Sequence, residues 1–260
     1  KNAHVYDKDN YSDRKSRFMI NRHNAILDMI NDLNFKFKNI LDIGCGPGEM
    51  IFDLSKIGLG GIGIDTSAEM IKICQERLNK NNFDELWELK VGDAENTKLE
   101  NNSHDLIIAS GLIEYLETDT KFLSEMNRIL KFDGFLILNI TNKYGYPTSL
   151  NGISRSIKKN KLLIPFFDFL RKKTAGSNYG TNNLNFEPRK HNIKNFRKSV
   201  NTFGFEIISD KYVGFQLFPA PISTVFEKIS LPVDKSLEKL NNSFLKHFFA
   251  SYIICLKKTK

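Results

Sequence analysis

The run Ile40-Leu41-Asp42-Ile43-Gly44-Cys45-Gly46-Pro47-Gly48-Glu49 sets an acid inside an apolar strand, then three glycines at alternate positions, then a helix opening near Glu49. Glycines in such a turn permit backbone angles that a Cβ forbids, and they let a ligand approach the main chain closely. A pyrophosphate fingerprint, Gly-x-Gly-x-x-Gly, would need glycine where Glu49 stands, and Asp42 would repel that ligand. A carboxylate there suits an ammonium group instead. No Gly-Lys-Ser/Thr follows, so the turn is not a triphosphate loop. The next acid at a strand end is Asp65, seventeen residues beyond Gly48. In a parallel α/β unit that spacing brings a carboxylate to the end of the neighbouring strand, where it can accept both hydroxyls of a ribose.

The elements that must position these groups follow from periodicity. From Asp13, the residues Met19, Ile20, His23, Ile26, Leu27, Ile30 and Leu33 predict an amphipathic helix ending before Phe35, accessory to the core and packed over the edge or mouth of the sheet. After the turn, Met50, Ile51, Leu54 and Ile57 predict a short helix closed at Gly58-Leu59-Gly60-Gly61. Strands are expected at 62–65, 87–91, 106–109 and 135–140, with a helix from Ser67 to about Asn81, another over 118–130, and a turn at Lys131-Phe132-Asp133-Gly134. Strand and helix alternate, which predicts an α/β, doubly wound, mostly parallel sheet with its ligand at the carboxyl ends of the strands.

Beyond Thr141 the rhythm stops. The apolar block Leu162–Leu170 lies between Lys158-Lys159 and Arg171-Lys172-Lys173, and periodicity returns with a helix from about Asn192 to Phe203 and a strand from Phe205 to Val213. Pro219, Pro221 and Pro232 mark a second irregular stretch before a helix near 235–248, and Ser251–Leu256 reads as a last strand. The expected organisation is an arm and helix over 1–35, then a domain over 36–260 with lid or cap insertions at about 142–200 and 214–248.

The chain of 260 residues is 41% hydrophobic and carries a net charge of +8. Residues 151–200 hold twelve Lys or Arg against two acids, so this segment alone contributes +10 and the remainder is slightly acidic. No run is long enough to cross a bilayer and the start shows no signal pattern, which predicts a soluble, cytoplasmic protein. Three separated cysteines, Cys45, Cys74 and Cys255, fit reduced thiols.

The ordered set Leu41–Gly48, Gly63-Ile64-Asp65-Thr66-Ser67-Ala68-Glu69-Met70, Gly92-Asp93-Ala94-Glu95, Gly111-Leu112-Ile113-Glu114-Tyr115-Leu116 and Arg128–Gly134 resembles the class I S-adenosylmethionine-dependent methyltransferases. The likeness covers roughly residues 36–141. It implies a seven-stranded, Rossmann-like sheet and S-adenosylmethionine as cofactor, leaving S-adenosylhomocysteine as product. It also implies that Gly44, Cys45 and Gly46 hold the methionine half by their backbone, with Asp42 facing its amino group. Asp65 would take the ribose, Thr66 and Met70 would lie near the adenosine, Asp93 and Ala94 would meet the adenine, and Ser110 would touch the amino acid end. The run Glu187-Pro188-Arg189-Lys190-His191 resembles the late region of relatives acting on small molecules, glycans or lipids.

Methyl transfer from a sulfonium depends chiefly on alignment and exclusion of water; an oxygen acceptor also wants its proton removed. His191 and Glu114 are the candidate catalytic bases, ahead of His4 and His23; a helix-entry or structural role is the stronger reading of His191, and Glu114 could equally fix a turn. No His-x-x-x-His or Cys-x-x-Cys pair and no carboxylate triplet suggests a metal. The Asn/Asp-Pro-Pro-Tyr motif of nucleic-acid amino-methyltransferases is replaced by Ser110-Gly111-Leu112-Ile113, which argues against base methylation. The expected acceptor is a small biosynthetic molecule methylated at oxygen, anionic or carrier-bound. RNA or protein using the basic segment, and a lipid-like acceptor presented at a membrane surface, stand as alternatives.

Overall fold

The computed structural model describes residues 17–146, 188–214 and 248–260. The polar arm over 1–12, His4, the apolar block Leu162–Leu170 with its basic flanks, the proline-rich stretch from Pro219 and most of both expected insertions lie outside the described residues. By their internal contacts the residues group into two units, Lys1–Ile140 with Lys194–Lys211 and Ile253–Lys260, and Thr141–Ile193 with Tyr212–Tyr252.

Helix α1 (Arg17–Asp32) buries Ile26, Met29 and Ile30, the stripe that its spacing requires. The alternation that follows is β1 (Ile40–Ile43), α2 (Glu49–Lys56), β2 (Gly61–Asp65), α3 (Ala68–Lys80), β3 (Trp87–Val91), β4 (His104–Ala109), α4 (Thr120–Ile129) and β5 (Leu130–Thr141). Helix α5 (Ile193–Thr202), β6 (Phe205–Val213) and β7 (Ser251–Lys258) complete the described elements. The seven strands form one sheet in the order β3-β2-β1-β4-β5-β7-β6, and β3–β2, β2–β1, β1–β4 and β4–β5 are parallel. The chain therefore winds outward from β1 in one direction and restarts on its other side at β4. Ligands in such sheets bind at that point of reversal, beyond the ends of β1 and β4.

Near-continuous apolar strands make the core because helices cover the sheet. Leu41, Ile43, Ile107, Ile108, Leu136, Ile137 and Leu138 are almost wholly inaccessible. Helix α4 adds Phe122, Leu123, Met126 and Ile129, each worth about 1.5–3 kcal/mol on full burial. One boundary differs from expectation. Strand β5 starts at Leu130, which pairs with His104; the register then shifts so that Leu106 meets Phe135. The residues 131–134 thus form a bulge within the strand, with Asp133 at φ +63°, so their turn-like composition has its use inside the strand.

Two polar clusters fasten the amino-terminal side of this sheet. Lys258, buried on β7, gives all three ammonium hydrogens to Asn102 Oδ1 and to the carbonyls of Asn127 and Leu130. Glu125 takes hydrogen bonds from Arg128 Nε and Nη2 and from the amide and hydroxyl of Thr97, at 2.6–2.8 Å. The Arg128 bonds first, then those from Thr97, outweigh burial and pull its pKa from 4.5 down to about 2. A carboxylate held below its ordinary value adds stability that is complete above about pH 4.5 and lost as pH falls toward 2. Glu125→Gln should therefore lower stability at pH 7 by about 1–3 kcal/mol. In urea titrations repeated across pH, the gap to wild type should close toward pH 2.

Candidate functional site

Strand β1 ends at Ile43, and the turn after it is built by glycines that all lie at positive φ: +72° at Gly44, +53° at Gly46 and +81° at Gly48. The turn is drawn onto β2. The amides of Gly44 and Cys45 both donate to the Ile64 carbonyl at 2.7 and 3.0 Å, and Gly46 donates to Asp65 Oδ2 at 2.9 Å. A Cβ at Gly46 would meet nothing within 4 Å among the described residues, so they leave open space at that point of the turn. Because the three amides are already engaged, the turn offers a ligand close approach to its backbone and not free N–H donors.

Beneath the turn, Asp42 is 2% exposed and its Oδ2 accepts no hydrogen bond from the described residues. Burial, and then the negative charge of Asp65, push its pKa up to about 7. A buried acceptor left in this state is uncommon in a folded chain, and a cationic ligand group would satisfy it. Asp65 takes backbone hydrogens on both oxygens, from Gly46 on Oδ2 and Ser67 on Oδ1 at 2.8 Å, and keeps lone pairs for hydroxyl donors. Thr66 is exposed and Met70 half-buried beside it, where the Met70 amide is capped by Ser67 Oγ. Asp93 is exposed and its Oδ1 receives the Glu95 amide at 2.9 Å, forming a tight turn with Ala94 buried at its centre. These acids sit on the carboxyl ends of β1, β2 and β3, on one side of the sheet. This set, a buried carboxylate with one oxygen unpartnered among the described residues, beside a glycine cradle and with a second carboxylate one strand over, fits the amino group and ribose of S-adenosylmethionine.

The end of β4 adds what periodicity did not reveal. Ser110 is half-buried, and Gly111 follows at φ +72° with its amide on Asn139 Oδ1 at 2.6 Å. A Cβ on Gly111 would lie 3.0 Å from both terminal nitrogens of Arg22. A Cβ on Gly44 would lie 3.0–3.3 Å from the Leu112 side chain, so the loop after β4 rests against the glycine turn. Arg22, 6% exposed on α1, thus delivers a guanidinium to the same strand ends. A sign of this is visible in the sequence: Arg22 stands four residues before Ile26 and seven before Met29, a charge on the apolar stripe. Helix α1 is held there in part by His23 Nε2 on Asp53 Oδ2 of α2 at 2.8 Å, so His23 serves helix docking.

Glu114 is 6% exposed within a single 3-10 turn, Ile113–Tyr115, following Gly111. His191 belongs to the other unit. There its amide donates to the Thr141 carbonyl and its carbonyl accepts from Lys143, an isolated parallel bridge beside Asn142. Its Nε2 lies 3.3 Å from Arg189 Nη2. A guanidinium can only donate, so that contact makes Nε2 an acceptor and engages the lone pair that a general base would use. Cys45 is a packing residue: its Sγ would lie 3.4 Å from a Cβ on Gly63, and a hydrogen bond with Cys74, together with burial, raises its pKa well above the ordinary thiol value.

Residues 41–138 match the methyltransferase domain family. An uncharacterized protein of Methanocaldococcus jannaschii is 30% identical over 85% of this chain and 76% of its own length. Norajmaline N-methyltransferase of Rauvolfia serpentina is 32% identical over 43% of the chain and 38% of its own length, and the mitochondrial ubiquinone biosynthesis O-methyltransferase of Rattus norvegicus is 33% identical over 40% and 31%. The chain thus spans 38% and 31% of the lengths of these two named relatives. Among solved structures, magnesium protoporphyrin IX methyltransferase of Synechocystis with bound S-adenosylhomocysteine superposes with TM-score 0.56 at 15% identity, covering 91% of this chain and 81% of that one.

Proposed function

Because the chain belongs to the class I S-adenosylmethionine-dependent methyltransferases, we propose that it methylates a small biosynthetic acceptor, at oxygen. The cofactor would supply a sulfonium-bound methyl group: the acceptor lone pair would bond to the methyl carbon as the carbon–sulfur bond breaks, with S-adenosylhomocysteine as the leaving group. The chain's own residues recognise and align. Asp42 faces the ammonium of the amino acid end, and Arg22, brought to Gly111 by α1, carries the opposite charge suited to the carboxylate of the same zwitterion. Gly44 and Gly46 give the close approach. Asp65 takes the ribose hydroxyls while holding the turn through Gly46, Asp93 and Ala94 meet the adenine, and Ser110 lines the β4 end. The buried Asp42 carboxylate, whose Oδ2 has no hydrogen-bond partner among the described residues, carries this reading.

For the acceptor, the support is narrower. The two named relatives matched over this core act, by their names, on small molecules, one at nitrogen and one at oxygen. Glu114, buried just beyond the β4 end, is the candidate group for taking a proton from an acceptor hydroxyl. His191 remains a candidate base only where an acceptor displaces Arg189 from Nε2. The basic residues of 151–200 are proposed to attract an anionic or carrier-bound acceptor, although Arg197 among them is already paired with Asp210 at 3.0 Å.

The test is to incubate the protein with methyl-labelled S-adenosylmethionine and a cell extract separated into low-molecular-mass and macromolecular fractions. Label should enter the small-molecule fraction as an acid-stable ether or ester. Label confined to RNA or protein would overturn the small-acceptor reading, and label held on an amine would overturn the oxygen assignment.

A further inference from the structure

Arg77 lies on α3, thirty residues from the turn it touches. Its Nη1 donates to the Pro47 carbonyl at 2.8 Å and lies 2.8 Å from Glu49 Oε1. Both side chains are largely covered, 20% and 23% exposed. Pro47 and Glu49 flank Gly48, the residue that ends the glycine turn and caps α2. The start of the turn is fixed by β2, through Ile64 and Asp65; its exit is gripped by α3. Cys74, one turn before Arg77 on α3, packs so closely that a Cβ on Gly48 would fall 2.2 Å from its Sγ.

We propose that Arg77 is a positioning residue for the cofactor, acting through Pro47 and Glu49. The inference rests on the reading that the glycine turn binds S-adenosylmethionine. The turn gives its ligand shape, since its amides are spent, and shape requires that both ends of the turn be held. One planar guanidinium can hold a carbonyl and a carboxylate together in fixed geometry, which a lysine ammonium does less well. Without it, Glu49 in the first turn of α2 loses this guanidinium, and the Pro47 carbonyl loses its Arg77 donor. The turn then samples arrangements that fit the cofactor less closely.

The experiment measures S-adenosylhomocysteine binding by calorimetry on wild type, Arg77→Met, Arg77→Lys and Glu49→Gln, with circular dichroism melts and hydrogen exchange on each. Wild-type binding tests the underlying reading; its absence sinks that reading whatever the variants do. Given wild-type binding, Arg77→Met should weaken affinity by roughly tenfold to a hundredfold, Arg77→Lys should recover part of the loss, and Glu49→Gln should show a smaller one. Exchange at the Gly46 and Gly48 amides should quicken in Arg77→Met while β4 stays protected. Affinity within twofold of wild type in Arg77→Met overturns the proposal, as does a loss of affinity accompanied by equal loosening of β4. Should Arg77→Met fail to fold, Glu49→Gln decides alone: unchanged affinity and unchanged Gly48 exchange overturn it.

Discussion

Asp42→Asn should make the cofactor-free protein more stable above pH 7 while weakening S-adenosylhomocysteine binding by roughly tenfold to a hundredfold. The two effects have one origin. In the folded protein burial and Asp65 lift the Asp42 pKa from 3.8 to about 7. Between these values the folded state keeps a proton that the unfolded chain releases, so this group's contribution to stability falls as pH rises, and above about pH 7 the folded protein bears the whole penalty. A shift of that size corresponds to roughly 4 kcal/mol, an upper figure because Asn must also find partners for its amide hydrogens. The melting temperature of Asp42→Asn should exceed wild type by several degrees at pH 8, and the gap should close as pH falls to about 4. Binding carries the opposite sign. Asp42 must ionise to face an ammonium group, so wild-type affinity should rise by about tenfold per pH unit up to pH 7 and then level. Calorimetry in buffers of different ionisation enthalpy would register the released proton. If Asp42→Asn binds as wild type does, with an unaltered pH profile, the carboxylate has no ammonium partner.

That trade between stability and binding explains which parts of the site could be read from the chain. Asp42, Asp65 and the three glycines break local rules: an acid inside an apolar strand, and repeated residues that weaken any helix or strand they enter. Departures of that kind stand out without a structure. The alternation of strand and helix was equally accessible, since each element has its own period. Arg22 was harder, because a single charge on an apolar stripe looks like an imperfect stripe until the fold brings it to Gly111. Asn139 is a polar residue within a buried strand, and nothing local says that its partner is an amide 28 residues earlier. Arg77 occupies the charged face of an amphipathic helix, where arginine is unremarkable. The bulge at 131–134 misleads for the reverse reason: Asp133-Gly134 is strong turn chemistry, here used inside a strand. Short-range pattern locates residues that must be special by themselves; those made special by a distant neighbour need the tertiary fold.

Gly48→Ala should destabilise the protein by about 2–5 kcal/mol, and Cys74→Ala should restore part of that loss. An alanine held at φ +81° costs about 1–2 kcal/mol in backbone strain, whatever surrounds it. Its methyl would also overlap Cys74, lying 2.2 Å from Sγ and 3.2 Å from Cβ. Cys74 is wholly buried, and overpacking at such a position costs about 1–3 kcal/mol. Replacing Cys74 with Ala removes the sulfur and relieves the overlap but leaves the backbone strain in place. A double-mutant cycle followed by urea denaturation should therefore show a favourable coupling of at least about 1 kcal/mol, with the double variant still below wild type. Simple additivity would mean that α3 moves aside freely when the turn thickens. In that case the exit of the turn is not held by α3, and the role assigned to Arg77 loses its mechanical basis.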